Sequence, residues 1–410
     1  MLQEFWHNFT HNLFKPLLLF FYFGFLIPIL KVRFEFPYVI YQGLTMYLLL
    51  AIGWHGGEEL AKINTGIWII VGFMVLGFIL NFLIGGLAYV LMGWLTSLRK
   101  VDRATVAGYY GSDSAGTFAT CVAFLAAVNV AFNAYMPVML AVMEIPGCLV
   151  ALYFVALLRH RGLNEAGYMP DEPGYTRPVK VGVGPGTAAK PPHGQSLEAE
   201  RDRGVEQELE LSMEKLEHPN WEPDQHPPMG KAKRMPVFSR ELLQEVFLNP
   251  GLVLLIGGIA IGLISGLQGQ KVVADDDRFF VLAFQGVLCL FLLEMGMTAS
   301  RKLRDLRTAG PGFIFFGLLA PNIFAPLGIL VAHTYAFLTH ADFKPGTYVL
   351  FAVLCGAASY IAVPAVQRLA IPEASPTLPL AASLGLTFSY NVTIGIPLYV
   401  EINRLVAHWF

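Results

Sequence analysis

The sequence predicts an all-α membrane protein, with ten transmembrane helices arranged as a 5+5 inverted repeat. Hydrophobic residues make up 55% of its 410 residues and charged residues only 14%, whereas soluble domains average about a quarter charged. The charges crowd into short connections and one central segment, leaving hydrophobic runs long enough to span a bilayer. Landmarks of the first half recur in the same order in the second half, which predicts the repeat.

Ten hydrophobic runs give the predicted spans. In the first half they cover residues 13–30, 38–60, 66–95, 104–130 and 133–158. In the second half they cover residues 250–267, 278–299, 309–337, 347–370 and 376–400. The predicted domains are therefore a first five-helix repeat over 1–158, a linker over 159–240, and a second five-helix repeat over 241–410.

The linker is the one long polar region. Its first part, from Arg159, is rich in glycine and proline and is predicted to be disordered. Further along, an acidic helix is predicted over 197–217, and a short amphipathic helix beginning at Ser239 is predicted to lie on the membrane surface.

Lysine and arginine are unequally divided between the two sides of the predicted membrane. If the linker is cytoplasmic, ten lie inside: Lys31, Arg33, Arg99, Lys100, Arg103, Arg301, Lys302, Arg304, Arg307 and Arg368. Four lie outside: Lys62, Lys271, Arg278 and Lys344. Because positive charge favours the cytoplasmic side, both termini are predicted to lie outside.

The repeat is visible as paired landmarks. Residues 41–60 align with 284–303 without a gap, which matches Gln42-Gly43 to Gln285-Gly286. Slightly different shifts pair Pro16 with Pro250, Asn81 with Asn322, and Pro137 with Pro379. Each half has five spans, an odd number, so the second copy enters the membrane from the opposite side.

Two segments rich in small and hydroxylated residues interrupt the apolar runs, at 109–120 and at 354–364. A bilayer offers no water to a broken backbone, so such segments survive only inside protein or beside a wet cavity. Matching interruptions in two halves indicate a transporter's substrate site. Helix ends that meet there expose N–H groups and about half a positive charge each, which favours a small anion.

The predicted substrate-binding residues follow from these segments; close helix packing through small residues is the alternative. They are Gly111, Ser112, Ser114, Ala115, Gly116, Thr117, Ala358, Ser359 and Tyr360, with Asn81 and Asn322 as braces or direct contacts.

Four residues are predicted to bind a cation. Asp113 is a carboxylate at membrane depth, which costs at least about 2.5–3.5 kcal/mol unless it is paired or protonated. Glu144 precedes Pro146, whose missing N–H frees a backbone carbonyl that could join the carboxylate as a ligand. Thr387 and Asn391 could add neutral oxygens. For all four, a structural role in helix contacts is the alternative.

Several further residues have weaker indications. Glu294, an acid inside a span, is a gate candidate. His55, Glu58 and Glu59 are predicted to be solvated at an outer helix end.

Ordered motifs along the chain are similar to those of one known family. They are residues 110–117, Met143-Glu144-Ile145-Pro146, Glu294-Met295-Gly296-Met297, Ala357-Ala358-Ser359 with Pro364, residues 371–376, and Gly395-Ile396-Pro397-Leu398. Over all ten spans the sequence resembles the sodium-dependent bicarbonate transporter family, the bicarbonate permeases of carbon-concentrating cyanobacteria and their bacterial relatives.

The resemblance implies Na⁺-driven bicarbonate uptake across the inner membrane by a homotrimer. It also implies a gate domain of spans 1, 2, 6 and 7 and a core domain of spans 3–5 and 8–10. The substrate would sit where spans 4 and 9 cross, and a PII-like signalling protein would inhibit from the cytoplasmic side.

The chain departs from the cyanobacterial pattern at two places. The second crossing segment of that pattern reads serine-serine-serine-aspartate, whereas this chain has Ala357-Ala358-Ser359-Tyr360. In the first segment, Asp113 replaces a small apolar residue. A carboxylate is thus lost from one repeat and gained in the other.

The predicted function is secondary active transport of bicarbonate or another small anion, with Na⁺ as coupling ion, no cofactor, and contact with membrane lipid. The alternatives are a cation/proton antiporter that uses Asp113, and a membrane-bound ligand sensor. No hydrolase motif, metal-site motif, P-loop or basic stripe occurs in the sequence, so neither an enzyme nor a nucleic-acid partner is predicted.

Overall fold

The computed structural model describes residues 6, 10, 13–34, 36–62, 66–176, 244, 246–306 and 310–410, and every regular element among them is helical. Within the described part of the chain, four helices are long and apolar enough to cross a membrane, namely Ile67–Leu95, Met136–His160, Pro250–Gln268 and Pro311–Thr339. Pro16–Ile29 and Pro345–Gly356 are shorter apolar helices. The predicted acidic helix of the linker lies outside the described residues, as do residues 239–243 and 245 of the predicted amphipathic helix, whereas its residues 244, 246 and 247 are helical.

The described residues of the first half contain six helices: α1 (Pro16–Ile29), α2 (Tyr38–Leu60), α3 (Ile67–Leu95), α4 (Lys100–Tyr110), α5 (Ala115–Ala127) and α6 (Met136–His160). The second half contains α7 (Pro250–Gln268), α8 (Phe284–Asp305), α9 (Pro311–Thr339), α10 (Pro345–Gly356) and α11 (Ala362–Ala370), with short turns at Gln270–Val273 and Arg278–Leu282 between α7 and α8. Proline lies in the first turn of α1, α6, α7, α9 and α10. Its fixed φ suits that position, and its missing N–H has no partner to lose there.

The last helical rod, which we call α12, changes its winding along its length. It begins as Thr377–Leu380, widens into π-helical turns over Ala381–Phe388 and Asn391–Gly395, and ends as the α-helix Ile396–Val406. Wide turns of this kind are rare and frequently occur at functional sites.

Helices α2 and α7 run side by side in the same direction. A Cβ added at Gly53 would lie 2.6 Å from the Leu255 carbonyl oxygen, and one added at Gly258 would lie 2.9 Å from the Leu50 carbonyl oxygen. Only glycine allows two backbones to approach so closely. Helices α1 and α8 meet in the same way, through Gly24 and Gly296.

The beginning of the linker is ordered, so the prediction of disorder is wrong for residues 163–176. Glu172 accepts hydrogen bonds from the backbone N–H groups of Lys100, at 2.6 Å, and Met169, at 2.8 Å. The Lys100 ammonium lies 2.5 Å from Asp171 and holds the pKa of that exposed carboxyl below its usual value. These contacts attach the linker to the first turn of α4.

The prediction of a solvated outer end is wrong for Glu58. This side chain is buried at the end of α2 and receives a 2.8 Å hydrogen bond from Lys62. The hydrogen bonds from Lys62 to Glu58 and Glu59 raise the pKa of the lysine. An acid near a helix end can therefore be buried when the chain supplies its counter-ion one turn later.

Candidate functional site

The first predicted interruption is present between α4 and α5. Helix α4 ends at Tyr110, and α5 begins at Ala115. Ser114 has an extended backbone and caps α5: its hydroxyl oxygen accepts hydrogen bonds from the Thr117 N–H, at 3.2 Å, and the Thr117 hydroxyl, at 2.9 Å. A side-chain cap of this kind stabilises the start of a helix, because it provides an acceptor for an N–H group of the first turn.

The second interruption lies between α10, which ends at Gly356, and α11, which begins at Ala362. Ala357 has an extended backbone, and no side chain caps the start of α11. The first N–H groups of α11 therefore lack the side-chain partner that α5 has.

Two hydrogen bonds join the interrupted segments. The Ser359 N–H donates to the Tyr109 carbonyl oxygen at 2.8 Å, and the Gln367 side-chain amide donates to the Thr105 carbonyl oxygen at 3.0 Å. Tyr109 is in the last turn of α4, where carbonyl groups have no partner within the helix. The two interrupted segments thus provide hydrogen-bond partners for each other's backbone groups.

A cavity of about 10 Å³, room for about one water molecule, lies beside the joined segments. Its lining comes from both interruptions and from three neighbouring helices. The lining residues are Leu49, Asp113, Ser114, Ala115, Glu144, Gly251, Ser359, Tyr360 and Ile361. Leu49, Gly251 and Ile361 were not predicted; Leu49 and Gly251 come from α2 and α7, outside the two interruptions.

Asp113 is the most unusual group in this cavity. Its side chain is 1% exposed, and neither carboxylate oxygen has a hydrogen-bond partner among the described residues. The described lining contains a second acid, Glu144, but no lysine, arginine or histidine. An ionised carboxylate without a partner is costly to bury, so this site is suited to a bound cation or proton.

Several predicted site residues do not line the cavity, among them Ser112, Asn81 and Asn322. The Ser112 hydroxyl donates to the Glu144 carbonyl oxygen at 2.8 Å, and the Asn81 amide donates to the Met143 carbonyl oxygen at 3.0 Å. Both contacts hold the part of α6 that carries Glu144. Asn322, the counterpart of Asn81, receives a 2.6 Å hydrogen bond from Tyr390 in α12.

Thr387 and Asn391 lie in the π-helical part of α12 and do not line the cavity. Thr387 shares a 2.6 Å hydrogen bond with the Tyr110 hydroxyl and donates to the Gly317 carbonyl oxygen at 3.0 Å. The Asn391 amide donates to the Gly356 carbonyl oxygen at 2.9 Å. These groups connect α12 to the last turns of α4 and α10.

Tyr360 fills the space in front of α5. A Cβ at Gly116 would overlap the Tyr360 hydroxyl, so the absence of a side chain at residue 116 makes room for this group. The Tyr360 ring lies edge-on to Phe388, with ring centroids 5.5 Å apart. Glu294 lies outside the cavity lining and accepts a 2.7 Å hydrogen bond from Thr298.

A sequence profile of the Na⁺-dependent bicarbonate transporter superfamily matches residues 16–404. This chain belongs to the Na⁺-dependent bicarbonate transporter superfamily. The match confirms the resemblance seen in the sequence motifs. No curated protein matches the chain significantly.

Membership of the bicarbonate transporter superfamily gives the two interruptions a chemical context. The family is described as one of Na⁺-dependent bicarbonate transporters, and the cavity joins helix N-termini to two carboxylates. Oxygen-rich sites with carboxylates suit hard cations such as Na⁺.

Proposed function

We propose that this protein takes up bicarbonate together with Na⁺ by alternating access, through a site between its two interrupted helices. The observation that carries the proposal is Asp113, a buried carboxylate beside the first turn of α5 that has no hydrogen-bond partner among the described residues. The chain provides no positive side chain in the described lining of this cavity, so the balancing charge has to come from a bound ion or proton.

The proposal includes ten spans in a 5+5 inverted repeat. Positions 50 and 54 of α2 meet 258 and 262 of α7, which means that the two helices are parallel. Consecutive spans such as α1 and α2 run in opposite directions. The first helix of the second half would therefore be antiparallel to the first helix of the first half, as an inverted repeat requires.

The lengths of the half-helices favour a site near the middle of the membrane. Helix α4 has 11 residues and α10 has 12, so each is about 16–18 Å long. The hydrocarbon core is about 30 Å thick, and each half-helix would therefore reach about halfway. We infer that α4–α5 and α10–α11 are the two crossing, discontinuous spans.

Transport requires the site to open, because the cavity has room for about one water molecule and bicarbonate has four heavy atoms. Leu49 and Gly251 come from the predicted gate domain, whereas Asp113, Glu144 and Ser359 come from the predicted core domain. Movement of the core domain against the gate domain would enlarge the cavity. A larger cavity of about 230 Å³, lined partly by His55 and Glu59, lies between these domains at the outer end of α2 and is the proposed approach from that side.

In this proposal the anion binds to the N–H groups at the starts of α5 and α11, and the cation binds between Asp113 and Glu144. Helix N-termini favour negative charge, and no described side chain caps the start of α11. Thr387 and Asn391 could bind the cation only after α12 rearranges. In this structure Thr387 donates a hydrogen bond to the Gly317 carbonyl oxygen, and Asn391 donates one to the Gly356 carbonyl oxygen.

Exposed aromatic residues support insertion in a lipid membrane. Trp68 and Trp94 are 83% and 79% exposed near the two ends of α3, and they lie about 40 Å apart along the helix. Tryptophan favours the two membrane–water interfaces at about this spacing. The inner membrane, the homotrimer, the outward termini and the PII-like regulator rest on the resemblance and on the charge distribution of the loops.

Uptake of labelled bicarbonate by proteoliposomes, with and without an inward Na⁺ gradient, tests the proposal. We expect uptake that requires Na⁺ and exceeds the CO₂ leak of protein-free liposomes at alkaline pH. Na⁺ movement driven by an opposing proton gradient, without bicarbonate, would favour the antiporter. A sensor would transport neither ion.

A further inference from the structure

The Tyr360 hydroxyl is a buried donor for which the chain provides no acceptor. The side chain is 8% exposed, and its hydroxyl has no hydrogen-bond partner among the described residues. The Ser114 side chain is near enough to act on it electrostatically. The Ser114 oxygen, however, already accepts two hydrogen bonds from Thr117, and a hydroxyl oxygen has two lone pairs. The proton of the Tyr360 hydroxyl therefore remains free for a ligand.

This hydroxyl points at the positive end of α5. A Cβ at Gly116, the second residue of this 13-residue helix, would overlap the Tyr360 hydroxyl. Tyr360 also lines the same cavity as Ser114 and Ala115, with which α5 begins. The start of a helix favours negative charge. An anion oxygen bound there would meet the helix end and the free hydroxyl together.

The ring of Tyr360 is held by aromatic contacts. It lies edge-on to Phe388 of α12, with ring centroids 5.5 Å apart. Phe388 in turn lies edge-on to Phe21 of α1, with centroids 6.0 Å apart. Edge-to-face packing fixes the orientation of a ring and leaves its hydroxyl unused. A buried polar group without a partner in a native structure points to a missing ligand or water.

The donors that face the cavity are uncharged. Its described lining contains no lysine, arginine or histidine, and the phenol of Tyr360 is neutral at physiological pH. Two acids, Asp113 and Glu144, line the same cavity. A second negative charge on the anion would add to the repulsion from these acids and would find no positive side chain in the described lining.

We propose that Tyr360 is a specificity-determining residue of the anion site, whose hydroxyl donates a hydrogen bond to an oxygen of a small monovalent oxyanion at the start of α5. This role rests on the proposed function and adds a side-chain donor to the backbone N–H groups. It also defines the substrate class. A neutral donor beside two acids accepts a monovalent oxyanion, such as bicarbonate, and disfavours a divalent one.

Tyr360→Phe keeps the ring and removes the donor. We expect the KM for bicarbonate to rise about 10- to 100-fold, the range for loss of a hydrogen bond to a charged group, while kcat stays within about twofold of the wild-type value. Tyr335→Phe is the matched control, because the Tyr335 hydroxyl donates to the Ile69 carbonyl oxygen, at 2.7 Å, outside the cavity. It should change neither constant. An unchanged or lower KM in a folded Tyr360→Phe protein would overturn the proposal.

Thermal unfolding in detergent separates a binding residue from a structural one. Bicarbonate with Na⁺ should raise the unfolding temperature of the wild type, because it binds the folded state. Tyr360→Phe should need about 10- to 100-fold more bicarbonate for the same rise. Its ligand-free unfolding temperature should not fall, since the hydroxyl has no partner to lose. A lower ligand-free value with an unchanged bicarbonate dependence would instead identify a structural residue.

A second variant keeps the test decisive if Tyr360→Phe does not fold. Gly116→Ala places a methyl group where the Tyr360 hydroxyl lies, so it should displace the donor and raise the KM for bicarbonate. Gly86→Ala is its control, because Gly86 of α3 has open space around its Cα, and it should leave the KM unchanged. A wild-type KM in Gly116→Ala would count against the position assigned to the hydroxyl.

Competition by other anions tests the substrate class. At constant Na⁺ concentration, nitrate, a planar monovalent oxyanion of similar size, should inhibit bicarbonate uptake, and sulfate should not. Equal inhibition by both, or none by nitrate, would reject the preference for a monovalent oxyanion. If bicarbonate raises the unfolding temperature of the wild type but no flux occurs, transport is rejected and the role of Tyr360 in binding stands. Flux with an unchanged KM in Tyr360→Phe would reject that role alone.

Discussion

Asp113 is a buried carboxylate whose negative charge is not balanced by any described side chain that lines its cavity. Neither of its oxygens has a hydrogen-bond partner among the described residues, and it lies one residue before the serine that caps α5. The start of α5 provides about half a positive charge, which is less than the full charge of an ionised carboxylate. In the proposed function, an anion at the N-terminus of α5 and a cation at Asp113 would balance these charges.

We expect Asp113→Asn to abolish Na⁺-dependent net uptake or to uncouple it from the Na⁺ gradient. The amide preserves the shape of the side chain but provides no negative charge for a cation. The unfolding temperature in detergent should not fall, because the variant loses no hydrogen bond of the described structure. Labelled bicarbonate and Na⁺ uptake by proteoliposomes measure the effect.

Asp276→Asn, in the exposed connection before α8, is the matched control and should transport as the wild type does. Wild-type Na⁺-dependent uptake by Asp113→Asn would remove this carboxylate from the mechanism. A large loss of thermal stability would instead indicate a structural acid.

Among single residues, the sequence was most informative for acidic side chains inside apolar spans. Asp113 and Glu144 stood out in this way, and they line one cavity. The position of Tyr360 in front of α5 could not be predicted, because it depends on the distance between two segments far apart in the chain. The burial of Glu58 could not be predicted for a similar reason, since its counter-ion, Lys62, lies just beyond the helix end.

At the scale of helices, glycine determines which pairs approach closely. Gly262 in α7 faces the backbone of Trp54 in α2, and a Cβ there would overlap the Trp54 carbonyl oxygen. Gly257 in the same helix has open space around its Cα. The two glycines differ in environment but not in backbone conformation, so they form a matched pair for mutation.

We expect Gly262→Ala to destabilise the protein by about 1–3 kcal/mol, because the two helices must separate to accommodate the methyl group. Gly257→Ala should be neutral or stabilise by up to about 1 kcal/mol, through the higher helix propensity of alanine. Unfolding of the purified variants in detergent measures both changes. Equal effects of the two substitutions would show that the close contact between α2 and α7 does not form.

The interruptions of α4–α5 and α10–α11 were predictable because small and hydroxylated residues replaced apolar ones in a local run. The π-helical turns of α12 were not predictable, since residues 381–395 read as an ordinary apolar helix with scattered polar groups. Their wide winding accompanies long-range hydrogen bonds, such as that between Thr387 and Tyr110. The order of residues 163–176 likewise depends on acids that meet the start of α4.

At the scale of the whole molecule, an ion pair between Arg159 and Glu373 joins the two halves of the chain. Arg159, at the end of α6, makes two hydrogen bonds to Glu373, of 2.8 and 2.9 Å, and a third to the Ala370 carbonyl oxygen. The two side chains are 12% and 2% exposed. Nearby, Asp102 in α4 accepts a hydrogen bond from the Ser375 N–H, which adds a further connection between the halves.

We expect Glu373→Gln to lower the free energy of unfolding by about 3 kcal/mol, because it leaves the buried guanidinium of Arg159 without its counter-ion. The double variant Arg159→Leu with Glu373→Leu should be less destabilised than Glu373→Gln, since neither charge remains buried. Thermal or denaturant unfolding in detergent provides the comparison.

Glu401→Gln removes an acid whose arginine partner is 55% exposed, so its effect should stay at or below about 1 kcal/mol. If Glu373→Gln is no more destabilising than this control, the ion pair between the halves contributes little. The halves would then be held together by the glycine contacts of α2 with α7 and of α1 with α8, and Gly262→Ala would be the more damaging of the two substitutions.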